Sequence, residues 1–236
     1  MNSLLTLCLL ALGAGLAMPL GALLASVEHI QSKLVAAEVH AAIMAFGAGS
    51  LLSAVALVLV PEGIAELSPA LSISVFIGGA LAFLLLDILL YKLATPASQL
   101  AAMLADFIPE SIALGAAFAL GSESVLLLVL LIALQNVPEG FNAYRELKER
   151  GHYRGRNIFA LFCAMALLGP LCGVLGYLWL ADEVKLVAAI MLFAAGGILY
   201  SIFQDIAPKV ALDKHWAPPL GAIAGFAVGL MGLMSL

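Results

Sequence analysis

The chain has 236 residues, 64% of them hydrophobic and only 11% charged, with a formal net charge of −5. A soluble domain carries about 25% charged residues, so this chain has too few polar side chains to cover a water-facing surface. The bilayer must be its solvent, which leaves no room for a separate soluble domain or a nucleic-acid-binding surface.

One spanning helix needs about 20 mostly apolar residues. Apolar runs and polar breaks predict eight helices, over 4–27, 38–60, 71–93, 98–120, 125–147, 157–180, 185–207 and 217–236, forming one transmembrane domain over residues 1–236. No basic residue precedes the first run, which predicts a retained helix rather than a cleaved signal. Cys8, Cys163 and Cys172 fall in apolar spans, match no metal or CxxC spacing, and read as small buried hydrophobes.

Basic residues set the orientation. With the N-terminus outside, the inside loops hold Lys33, Lys92, Arg145, Lys148, Arg150, Arg154, Arg156, Lys209 and Lys214, and the outside holds only Lys185. Both termini are therefore expected outside. The 145–156 loop sets topology and touches anionic headgroups. Glu62, Glu66, Glu123, Asp182 and Glu183 mark the outside turns, where they either solvate the chain or concentrate cations.

An internal repeat joins the second and seventh spans. Phe46-Gly-Ala-Gly-Ser-Leu-Leu lies on Phe193-Ala-Ala-Gly-Gly-Ile-Leu at an offset of 147, and the same offset puts Pro61 on Pro208. The two spans run in opposite directions, which suggests an inverted repeat of the kind found in secondary transporters.

Few ionisable residues fall inside spans: Asp87, Asp106, Glu110, Glu139 and Asp205. Such residues are expensive in lipid and mark functional sites. The fourth span carries Asp106-Phe-Ile-Pro-Glu110 and the fifth Gln135-Asn-Val-Pro-Glu139. Spacing of four puts Asp106 with Glu110, and Gln135 with Glu139, on one helix face. The centre of the Gly121–Ser124 turn is equidistant from Asp106 and Glu139, and from Glu110 and Gln135. The two polar faces should therefore meet at equal depth as a cluster of side-chain oxygens. Pro109 and Pro138 would free the Ala105 and Leu134 carbonyls and kink both helices. All four histidines, His29, His40, His152 and His215, are expected in loops or at span ends. An oxygen-only set suits hard or borderline cations, and zinc accepts carboxylates as well.

The segments DFIPES and QNVPEG resemble the fourth and fifth signature helices of the ZIP (Zrt/Irt-like protein) family of divalent metal transporters, in a divergent bacterial-type form. That family's pattern is H-N-x-P-E-G in the fourth helix and H/Q-E/D/N-x-P-E-G in the fifth. FGAGSLLSAVALVLVPEG, ALLGPLCGVLGYL and FAAGGILYSIFQDIAPK resemble its second, sixth and seventh helices, so the resemblance covers nearly the whole chain.

The resemblance implies an all-α membrane protein of eight helices in a 3+2+3 arrangement, with helices 1–3 and 6–8 as inverted repeats around helices 4–5. It implies transport rather than catalysis, in a bacterial inner membrane. The cargo is a divalent transition metal: zinc by resemblance, with manganese, iron and cadmium admitted by the oxygen-only site. The metal residues carried over are Asp106, Glu110, Gln135, Asn136 and Glu139, with Gln204 and Asp205 along the pathway. Two ligands of the family's second ion are replaced here by Phe107 and Gly169, which weakens or removes that ion. The histidine-rich loop that the family often carries is missing between the third and fourth helices. No cofactor is implied beyond the transported ion. The partners are lipids and the ion, and a homodimer is compatible. Two alternatives stand beside this reading: a ZIP-like sensor or scaffold that does not transport, and an intramembrane enzyme using paired carboxylates as acid and base. The second lacks a polar nucleophile pattern.

Overall fold

The computed structural model describes residues 3–29, 32–93, 96–149, 153–180, 182–211 and 216–235. Arg150, His152, Lys214 and His215, named above, lie outside the described residues, and the Lys33 side chain is not described. The described chain is all-α. Eight helices are long and apolar enough to cross a membrane: α1 (Ser3–Val27), α2 (Leu34–Glu66), α3 (Pro69–Lys92), α4 (Pro96–Leu120), α5 (Val125–Glu149), α6 (Gly155–Trp179), α7 (Val184–Val210) and α8 (Ala217–Met234). In lipid the backbone must satisfy its own hydrogen bonds, and only the helix does so within one segment. The protein is thus an eight-span integral membrane protein. Leu81 and Leu85 on α3 and Leu220 and Ile223 on α8 are exposed apolar residues that face lipid.

The 147-residue repeat extends to backbone geometry. A five-residue π-helical stretch occupies Val55–Leu59 in α2, and its counterpart occupies Ile202–Ile206 in α7, 147 residues on. In each, the residue before the proline donates five residues back, Val60 N–H to the Val55 carbonyl and Ala207 N–H to the Ile202 carbonyl. The wide turn accommodates the ring of Pro61 or Pro208, which would clash with the carbonyl four residues earlier in a regular helix. The second helix therefore runs past residue 60, where the predicted span ends, and carries Glu62 and Glu66 on its last turns rather than in a loop.

Spans α1 and α6 are a second matched pair. Each is interrupted near its middle, at Leu16 (φ −66°, ψ −10°) and at Leu167 (φ −69°, ψ −18°). A proline follows three residues later in each, Pro19 and Pro170, so the Gly15 and Ala166 carbonyls lose their regular helical donors. By contrast, α4 and α5 are each one continuous helix through Pro109 and Pro138.

Four helix pairs pack most closely: α2 with α8, α3 with α7, α1 with α5, and α4 with α6. The repeat interchanges the first pair with the second and the third with the fourth. In every pair, glycines lie reciprocally against a partner carbonyl. Gly49 meets Ala222 and Gly225 meets Phe46, while Gly196 meets Phe76 and Gly79 meets Phe193. Gly21 meets Val137 and Gly140 meets Met18, while Gly115 meets Gly173 and Gly176 meets Ile112. Small residues let backbones approach this closely in membranes, where packing rather than water exclusion drives association. Two groups of four helices result, α1/α4/α5/α6 and α2/α3/α7/α8. They meet where α2 packs on α5 and α7 on α4.

Both ends carry polar ties between these groups. At the end with the α4–α5 turn, Ser122 and Ser124 donate their hydroxyls to the Glu62 carboxylate. At the opposite, basic end, Glu28 Oε2 accepts from Arg145 Nη1 at 3.0 Å and lies 2.9 Å from His40 Nε2. His40 is on α2 itself and only 14% exposed, so it is more enclosed than a loop histidine. Its ring also packs 5.5 Å from that of Phe141.

Candidate metal centre

The site is set by one turn. Ser122 N–H reaches the Ala117 carbonyl at 3.0 Å and Gly121 N–H reaches that of Phe118 at 3.2 Å, which closes α4 in a Schellman arrangement. Gly121 takes φ +68°, the left-handed conformation this cap requires. The chain then folds straight back into α5, and the register read from the turn is observed: Gln135 Nε2 donates to Glu110 Oε2 at 2.5 Å. Both residues are deeply buried, at 1% and 3% exposure.

Asp106 and Glu139 complete the group. Glu139 lies within electrostatic reach of Asp106 and Glu110, and Asp106 of Glu110. Glu110 is buried, and Asp106 and Glu139 are partly buried; carboxylates in such reach of one another repel unless protons or a cation supply positive charge. The polar balance is one-sided. Asp106 Oδ1, Gln135 Oε1 and Asn136 Oδ1 are all buried without a hydrogen-bond donor. Buried polar atoms are normally paired, so an unpaired oxygen of the cluster and two unpaired amide oxygens next to it in the chain mark a site that favours a positive partner.

Asn136 is engaged elsewhere through its nitrogen. Its Nδ2 donates at 2.9 Å to the Ala14 carbonyl, in the turn of α1 before the Leu16 interruption. Among the described residues, no three His, Cys, Asp or Glu side chains are gathered into a ready-made metal site. Two of the five residues read from the sequence are amides, and one amide's NH2 already holds Glu110. Phe107 and Gly169 contact each other: a methyl group added at Gly169 would stand 2.9 Å from Phe107 Cζ.

The pathway pair is split. Asp205 interacts electrostatically with Asp106 and lines a small cleft with Asp87, Ala105, Tyr200 and Ser201. Gln204 is exposed and does not line it. Within the cleft, Tyr200 donates its hydroxyl to Asp87 Oδ2 at 3.1 Å. Ala105 is the residue whose carbonyl Pro109 frees, so the cleft begins one residue from the cluster. Asp87 was visible as an intramembrane acid, but its partner Tyr200 lies 113 residues away and no local spacing announces it. The Glu28, His40 and Arg145 cluster escaped for the same reason, since its members come from the cap of α1, from α2 and from α5.

No model of a known protein family matches the chain, and no curated protein matches it.

Proposed function

We propose that this protein moves divalent metal cations across the membrane, taking the ion at Asp106, Glu110, Gln135 and Glu139 as a ZIP-like transporter. The observation that carries the reading is the acceptor excess: three carboxylates within electrostatic reach of one another lie on two adjacent spans, and one of their oxygens, on Asp106, and the amide oxygens of Gln135 and Asn136 are buried without donors. A divalent cation satisfies both conditions at once. The single protein donor in the cluster, Gln135 Nε2, holds Glu110 in this arrangement. Turning that carboxamide over would present Oε1 in its place, and loading also draws the carboxylates together, since no three of them stand gathered at metal distance among the described residues. The Asp106–Asp205 neighbourhood then leads from the cluster to the Asp87 and Tyr200 cleft.

An all-oxygen set favours exchangeable binding of hard and borderline ions, which suits a carrier better than a permanent structural site. Manganese and iron(II) fit as well as zinc, and cadmium is a useful probe. The bias of basic residues supports placing both termini outside, and the compact eight-span chain fits a bacterial inner membrane. Partners are then the ion, the lipids and, as a permitted assembly, a second copy.

The test is uptake by the purified protein in proteoliposomes, with zinc, manganese, iron(II) and cadmium offered singly and in competition. Saturable uptake of at least one ion is expected. Uptake indistinguishable from protein-free vesicles for all four would refute transport and leave the sensor or scaffold reading.

A further inference from the structure

The two polar motifs each start with a cluster residue, Asp106 or Gln135, and the next residue in each points to a different place. Phe107 follows Asp106 and is 1% exposed. A methyl group added at Gly15 would come within 3.0 Å of Phe107 Cζ, and one at Gly169 within 2.9 Å. Gly15 adjoins the Leu16 interruption of α1, and Gly169 follows the Leu167 interruption of α6. The interruptions also abut each other, since the same methyl at Gly15 would stand 2.9 Å from the Ala166 carbonyl oxygen. Asn136 follows Gln135 and fastens its Nδ2 to the Ala14 carbonyl. The residue after each cluster residue thus holds the joint between the broken helices, as an apolar wedge from α4 and a polar clasp from α5.

Asn136 has a second end. Its Oδ1 is buried without a donor, as is Oε1 of Gln135 one residue earlier in the helix. An amide whose NH2 is committed to a carbonyl can offer only its oxygen to anything else. We infer that Asn136 is a positioning residue that couples the ion site to the interruption in α1: its oxygen answers to the cation while its nitrogen holds Ala14. Loading the cluster then tightens the α1 joint, and α1 in turn restrains α5 through the Gly21 and Gly140 contacts. This inference rests on the cation-transport reading above.

Asn136→Leu removes both ends of the amide at nearly constant volume and leaves Asp106, Glu110, Gln135 and Glu139 in place. In proteoliposomes its Vmax should fall about tenfold or more. Backbone hydrogen exchange of residues 14–18 in purified protein, with and without manganese, gives a readout independent of transport. Manganese should slow exchange there in the wild type and leave it unchanged in Asn136→Leu and Asn136→Ala. Wild-type Vmax in Asn136→Leu, or equal slowing by manganese in all three proteins, would overturn the coupling. Manganese binding by the wild type, scored separately from its thermal stabilisation, distinguishes that failure from failure of the transport reading.

Discussion

Gln135 on α5 donates to the Glu110 carboxylate on α4 at 2.5 Å, between two side chains that are almost wholly buried. This bond is the visible result of the Gly121 turn, which sets the two helices in register. It also leaves the cluster with one donor for several acceptors.

Replacing Gln135 by Leu removes that donor and leaves a dry carboxylate unpaired. Stability should fall by on the order of 1–3 kcal/mol, read from unfolding in mixed micelles. Wild-type stability in Gln135→Leu would mean that Glu110 does not depend on this amide.

The reciprocal glycine contacts make a sharper structural prediction. Gly49 and Gly196 occupy equivalent places in the repeat, and each backbone touches a partner carbonyl. Gly49→Ala and Gly196→Ala should each lose about 1–3 kcal/mol through overpacking. Gly78→Ala is the control, because a methyl group there meets nothing within 4 Å. It should be neutral, or gain about 0.5–1 kcal/mol from reduced chain freedom. Equal effects at all three positions would contradict the close approach of α2 to α8 and of α7 to α3.

Much of this architecture was legible in the chain because lipid enforces it. Eight apolar runs become eight helices, since an unpaired backbone cannot persist in hydrocarbon. The Gly121 turn was short enough to fix which residues of α4 and α5 lie at equal depth, so the Glu110–Gln135 pairing could be read by counting. The 147-residue offset was visible in Phe46 and Phe193. Its π-helical stretches were not, because helices apolar on every side show no periodic stripe whose slip would reveal a wide turn. Pro61 therefore looked like an end rather than a ring absorbed by the helix. The helix breaks themselves fall at Leu16 and Leu167, where Pro19 and Pro170 follow, while Pro109 and Pro138 lie within unbroken helices.

The basic-end cluster predicts a coupled but modest interaction. Glu28 and Arg145 are 20% and 31% exposed, and Arg145 also lies 3.7 Å from Glu149. A double-mutant cycle of Glu28→Gln and Arg145→Gln should give a coupling of no more than about 1 kcal/mol after solvent screening. It should shrink as salt rises. A coupling of zero at low salt would show that the two side chains do not support the α1–α5 packing.

Cation binding should stabilise the fold by linkage. At a hundred times the dissociation constant, the gain is about 2.7 kcal/mol. Thermal unfolding in detergent should therefore shift upward with manganese or zinc in the wild type and not in Glu139→Ala. An equal shift in both proteins would place the bound ion elsewhere.

The most direct measurement is initial-rate metal uptake into proteoliposomes by the wild type, Glu110→Ala and Glu139→Ala, normalised to folded protein in each preparation. If the ion crosses through the cluster between α4 and α5, the wild type transports and both variants fall to the level of protein-free vesicles. Wild-type rates in the two variants would contradict that route.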